Sequence, residues 1–156
     1  MSVSACRTAC FVSSVLLLLS AVVSSAAEAR WLRDVPQAWT AAQQAQRPLV
    51  IYISKKGCKY CERMTRETLA HPTIQQKLVS GYVLSAFDSQ THRDWAQHFK
   101  VQSYPTTLVF SPTGQVLASK IGYVAPQEFY QLLQNLDGGQ VPAATRYARQ
   151  ATPAGR

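Results

Sequence analysis

From Asp34 onward the apolar positions recur at helical spacing. Val35, Ala38, Trp39, Ala42 and Ala45 fall on one face. Asp34 is placed to cap this helix, with Pro36 in its first turn. The period then changes. Leu49-Val50-Ile51-Tyr52-Ile53 is an unbroken apolar, β-branched run begun by Pro48, which predicts a central strand buried on both faces. The turn Ser54-Lys55-Lys56-Gly57 follows. A second helix is predicted from about Cys58, with Cys61, Met64, Thr65, Thr68 and Leu69 on one side.

His71-Pro72 interrupts that helix, because proline cannot extend the hydrogen-bond ladder. Ile74 and Leu78 carry a continuation to Gly81, a plausible stop. Residues 82–87 predict the next strand. Thr91 and Asp94 open a third helix that includes Trp95 and Phe99. Residues 101–105 predict a loop, and 106–110 and 115–121 a hairpin around Ser111-Pro112-Thr113-Gly114. Pro126 begins the last helix, with Phe129, Leu132, Leu133 and Leu136 on its apolar face and Asp137-Gly138-Gly139 at its end. The predicted order is α-β-α-β-α-β-β-α. It implies parallel pairs where helices separate strands, with the final hairpin as an antiparallel edge.

The N-terminal pattern is of another kind. Arg7 precedes an apolar run over 11–23, and the small residues Ser24-Ser25-Ala26-Ala27 come next. Basic, then apolar, then small is the order of a secretory signal, expected here over residues 1–27. The run is shorter than the ~20 residues of a membrane span. The expected product is periplasmic or otherwise secreted. Its globular domain covers 31–137, and a flexible basic tail follows over 138–156.

Composition adds two constraints. With 47% hydrophobic and 15% charged residues, the 156-residue chain has the content of one globular domain. Its formal charge of +8 raises the question of nucleic acid. Export argues against that, and no basic run exceeds Lys55-Lys56. The positive balance fits solubility and some steering of acidic partners.

The chemistry lies in the cysteines. Cys6 and Cys10 fall in the expected signal, so the mature chain keeps only Cys58 and Cys61. In an oxidising compartment two cysteines three apart form a bond or exchange one. Cys58 stands where a strand hands over to a helix, facing free N–H groups and the positive end of the helix dipole. Lys55, Lys56 and Lys59 add positive charge. Both effects favour thiolate, the nucleophile. Cys61 lies nearly one turn on, on the core side. Cys58 is therefore the expected attacking sulfur and Cys61 the resolving one.

Other readings exist for such a pair. A structural disulfide would have the same composition, but its loop is tiny and stabilises little. Zinc would need two more ligands, and His71, His92 and His98 are scattered and expected at the surface. Haem attachment needs a histidine after the second cysteine, where Glu62 stands.

The segment from about Trp39 to Leu136 resembles the thioredoxin superfamily. The resemblance is carried by the strand Leu49–Ile53, the motif Cys58-Lys59-Tyr60-Cys61 with Met64 after it, and His71-Pro72. Asp88 at a strand end, Tyr104-Pro105-Thr106, and Gly122 followed by Glu128-Phe129 complete it. Within the superfamily the chain is similar to exported thioredoxin-like proteins and to the C-terminal periplasmic domain of transmembrane thiol reductant transporters. This implies an α/β thioredoxin fold with a central mixed sheet flanked by helices. It implies a Cys58–Cys61 disulfide that turns over without metal or organic cofactor. It also implies a cis Pro105 beside the cysteines, with the Tyr104 backbone pairing with an extended substrate.

The implied activity is thiol–disulfide exchange, in the direction of reducing disulfides of exported proteins. The alternatives are a disulfide oxidase or isomerase, or a thioredoxin-fold binding module without turnover. The implied electron donor is a membrane thiol reductant transporter, and the chain would act as a monomer. One position departs from the family. Cytosolic thioredoxins carry a buried aspartate six residues before the first cysteine, and here that residue is Tyr52. Proton handling at Cys61 then falls to water, Glu62 or a lysine.

Overall fold

The computed structural model describes residues 29–138. The expected signal, 1–27, lies outside the described residues, and so does the expected tail beyond Gly138. No helix among the described residues is long and apolar enough to cross a membrane.

The elements follow in the order α1 (Val35–Ala45), β1 (Leu49–Ser54), α2 (Lys59–Arg63), a π-helical continuation (Met64–Leu69), α3 (Pro72–Gly81), β2 (Val83–Asp88), α4 (Arg93–His98), β3 (Thr106–Phe110), β4 (Val116–Ile121) and α5 (Pro126–Asp137). The four strands form one sheet in the order β2-β1-β3-β4. β1 and β2 are parallel, with Ser54 opposite Asp88. β1 and β3 are antiparallel, with Ile53 opposite Thr106. The hairpin β3–β4 closes the sheet on that side. The pairing corrects one expectation. α4 separates β2 from β3, yet these strands are not a parallel pair, because the chain crosses β1 and returns antiparallel on its far side. At the opposite edge Leu32 makes a parallel bridge to Ser85 that partly covers β2.

β1 lies in the middle because both its faces are apolar. Val50 and Tyr52 face a core shared with Met64, Leu78, Phe129 and Leu133. Leu49, Ile51 and Ile53 face the other, with Ala38, Phe87, Phe99 and Phe110. Two helical layers therefore flank the sheet, and the central strand is fixed from both sides.

Boundaries moved where local bonding outweighed pattern. Asp34 caps α1 as expected, its Oδ1 accepting from the Gln37 N–H at 2.7 Å. Ala45 is exposed rather than on the core face, because the helix unwinds into a left-handed Gln46. Tyr82 sits outside β2 as the cap of α3, with its side chain buried against α5. Thr91 does not cap α4. The Asp88 carbonyl takes the Thr91 and His92 N–H groups, its side chain takes that of Gln90, and the helix starts one residue later. Phe99 caps the other end of α4. His71 and His98 are exposed, but His92 is half-buried against Phe87.

Candidate active site

The chain leaves β1 through a turn that needs Gly57 at φ 74°, a backbone conformation glycine adopts without the Cβ clash. That turn delivers Cys58 to the N-cap of α2. Its backbone is extended, and its Sγ accepts from the Cys61 N–H at 3.1 Å. Cys58 is half-buried and Cys61 is buried. They form a disulfide with Cα atoms 5.2 Å apart. The N–H that reaches Cys58 Sγ is a donor suited to a thiolate, since hydrogen bonds to an ionised acceptor are the stronger kind.

A cleft opens beside the sulfurs. Lys55, Lys56, Glu62, Asp88 and Tyr52 line it together with both cysteines. Lys59 is exposed on the first turn of α2. The Lys55 ammonium lies 5.9 Å from the centre of the Tyr104 ring. The Tyr104–Pro105 peptide is cis. The Pro105 carbonyl accepts from the Gly122 N–H at 2.7 Å, tying the start of β3 to the end of β4. Tyr104 lines not the sulfur cleft but a neighbouring hollow, with Arg93, Lys100 and Gln102. The sequence-expected residues thus gather at one end of the sheet, on two flanks of β1.

Sequence reasoning missed three contacts. Tyr52 Oη donates to the Cys61 carbonyl at 3.0 Å in a buried setting. Burial raises the Tyr52 pKa above its ordinary value, against a smaller opposing effect of the Thr65 hydroxyl. Alternation along β1 would have placed Tyr52 toward α2. Its polar partner, a backbone carbonyl, has no sequence signal.

The second contact clamps residues 122–125 onto the active-site helix. Thr68 Oγ1 donates to the Val124 carbonyl at 2.7 Å, and the Val124 N–H reaches Met64 Sδ at 3.4 Å. The π turn, with the Ala70 N–H bonded to the Thr65 carbonyl five residues back, accompanies this inward set of side chains. The third is a surface cluster. Arg63 lies 4.2 Å from the Tyr123 ring centre, and Glu67 accepts from both Arg63 and Tyr123. Those two hydrogen bonds hold the Glu67 carboxyl below its ordinary pKa. Among the described residues no group of three or more metal-ligating side chains assembles.

Helix, strand, cysteine pair and antiparallel hairpin occur here in the order of one known fold. A family model for the thioredoxin-like domain matches residues 35–137, and the chain belongs to that family. Solved structures agree on the fold. A thioredoxin from Thermus thermophilus is 21% identical, with a TM-score of 0.66 over 73% of this chain and 91% of that one. The oxidised C-terminal domain of DsbD from Neisseria meningitidis is 17% identical, with a TM-score of 0.58 over 68% and 98%. A DsbH oxidoreductase is 14% identical, with a TM-score of 0.59 over 73% and 85%. No curated protein sequence matches the chain. What the family and the site define together is a thioredoxin-like domain with a Cys58–Cys61 disulfide at the head of its active-site helix.

Proposed function

We propose that this chain is an exported protein-disulfide reductase that works through the Cys58–Cys61 dithiol. The observation that carries the reading is the asymmetry of the pair. A half-buried Cys58 caps the helix and accepts an N–H bond, while a buried Cys61 waits one turn behind. In the reduced protein the Cys58 thiolate attacks one sulfur of a partner disulfide. A Cys58–partner disulfide forms and one partner thiolate leaves. The Cys61 thiolate then attacks Cys58, closing the internal disulfide and releasing the second partner thiolate. Two electrons pass to the partner, and each released thiolate takes a proton from water.

A dithiol donor must then reduce Cys58–Cys61. By the family resemblance this is a membrane thiol reductant transporter. Tyr104 and Pro105 would present backbone to the substrate strand, and the monomer needs no metal or organic cofactor. The direction rests on how little stabilises the thiolate. Cys58 Sγ receives one backbone N–H, and Lys55, Lys56 and Lys59 are exposed, where solvent and salt screen them. A thiolate held only modestly keeps the disulfide from being strongly oxidising.

Equilibration in glutathione buffers tests this. The expected midpoint lies nearer thioredoxin, about −270 mV, than the strong oxidant DsbA at about −120 mV. A midpoint more oxidising than roughly −170 mV would replace the reductase with an oxidase or isomerase. Insulin reduction beside Cys58→Ser separates turnover from mere binding.

A further inference from the structure

Around the cysteine pair three lysines, Lys55, Lys56 and Lys59, outnumber two carboxylates, Glu62 and Asp88. β1 ends between β2 and β3, with Ser54 opposite Asp88 on one side and Ile53 opposite Thr106 on the other. The β2 flank carries Asp88, which lines the sulfur cleft together with Glu62 and with Lys55 and Lys56. The β3 flank carries Tyr104, with Lys55 over its ring. Lys55, Lys56 and Lys59 are all exposed, and among the described residues none forms an ion pair with a carboxylate. Lys120 on β4, by contrast, is paired with Glu128 at 2.8 Å. Among the described residues, two large apolar side chains that are exposed flank the same end. Tyr60 stands between the cysteines, 62% exposed, and Ile121 pairs with Thr106 next to Pro105, 63% exposed.

We infer that the site selects a protein partner whose disulfide lies in an extended segment with Asp or Glu next to the attacked cysteine. The inference rests on the proposed exchange reaction and specifies its substrate. Apolar side chains of the segment would cover Tyr60 and Ile121, and its carboxylates would meet Lys55, Lys56 and Lys59. Three like charges within five positions, none held in an ion pair and outnumbering the cleft carboxylates Glu62 and Asp88, create a field that raises the encounter rate of an acidic segment and repels a basic one. Exposed lysines add little to fold stability, so nothing in the packing requires them here.

The test uses two cystine peptides that differ only in Glu or Gln beside the cysteine. Each is mixed with protein that has been reduced and freed of small reductant. The first turnover is followed by mass spectrometry, and rates are divided by those with free dithiothreitol, which removes the peptides' intrinsic difference. The expected normalised Glu/Gln ratio is about 10 at low ionic strength, falling toward about 2 at roughly 0.5 M salt. In Lys55→Glu/Lys56→Glu it drops below one. Taking the ratio within each protein cancels any change in Cys58 itself. A ratio near one in the unaltered protein, or one that survives charge reversal, overturns the inference. If neither peptide is reduced, the proposed function fails and docking is read directly. The Cys58→Ser/Cys61→Ser protein should bind the Glu peptide several-fold more tightly, and equal affinities would overturn the inference.

Discussion

Tyr52 and Cys61 are joined by a buried hydrogen bond, phenol to backbone carbonyl, at 3.0 Å. It ties the central strand to the turn of helix that carries the buried cysteine. The ring also packs edge-on against Trp31, with centres 6.3 Å apart. Tyr52→Phe keeps the ring and removes the bond. Its expected cost is about 1 kcal/mol, hence a Tm lower by about 4–8 °C. Because the bond holds Cys61, the release of mixed disulfides should slow while the first attack by Cys58 does not. Rapid-quench resolution of the two steps checks this, and an equal loss in both would reduce Tyr52 to a packing residue.

Cys61→Ala should leave Cys58 able to attack and unable to release. Mixed disulfides with exported proteins should accumulate in cells, disappear on reduction and be absent with Cys58→Ala. Trapping by the Cys58 variant as efficient as by the Cys61 variant would reverse the two roles.

Thr68 is fully buried, and its hydroxyl has the Val124 carbonyl as partner. Thr68→Val preserves shape and leaves that carbonyl unsatisfied. The expected destabilisation is about 1–3 kcal/mol, the cost of a buried acceptor without a donor. Amide exchange at 122–125 should quicken more than elsewhere, since the clamp on the active-site helix is lost. Uniform quickening across the domain would mean that the clamp has no local role.

Much of this architecture was legible in the chain. The run Leu49–Ile53 reads as a doubly buried strand because no polar side chain interrupts it, and His71-Pro72 must break a helix because proline lacks the N–H. The cysteine pair was readable from its place at a strand-to-helix turn. What the pattern could not carry were contacts between distant segments. The antiparallel return of β3 depends on where α4 crosses the sheet, and the start of α4 on which N–H groups Asp88 captures. Thr68 reads as one polar residue on an apolar helical face until Val124 is brought against it. The Tyr52–Cys61 bond depends on a backbone acceptor that no side-chain pattern encodes.

Tyr82 offers a test through alkaline stability. Its side chain is buried, and its hydroxyl donates to the Leu133 carbonyl at 3.1 Å and to Asp137 Oδ1 at 2.7 Å. Burial, then the hydrogen bond to Asp137 and its negative charge, raise the phenol well above its ordinary pKa of 10.0. The folded state therefore keeps this proton after the unfolded chain has begun to lose it. Below about pH 10 both states are protonated, and the full contribution of Tyr82 is present. Above it, stability should fall with a slope of about 1.4 kcal/mol per pH unit for this group, until the folded phenol itself ionises.

Asp137 behaves in the opposite sense. Burial works against its charge, but the hydrogen bonds from Lys77 and Tyr82 outweigh it and lower the pKa below the ordinary 3.8. The stabilisation tied to its charge is complete above that value and is lost as pH falls through the folded pKa. Denaturant titrations of the unaltered protein and Tyr82→Phe between pH 7 and 11 separate this from lysine titration, which both share. Tyr82→Phe should be less stable by about 1 kcal/mol near neutrality, and the gap should close above pH 10 as only the tyrosine protein loses stability through this group. A gap that stays constant to pH 11 would show that the phenol ionises at its ordinary pKa and that burial does not hold its proton.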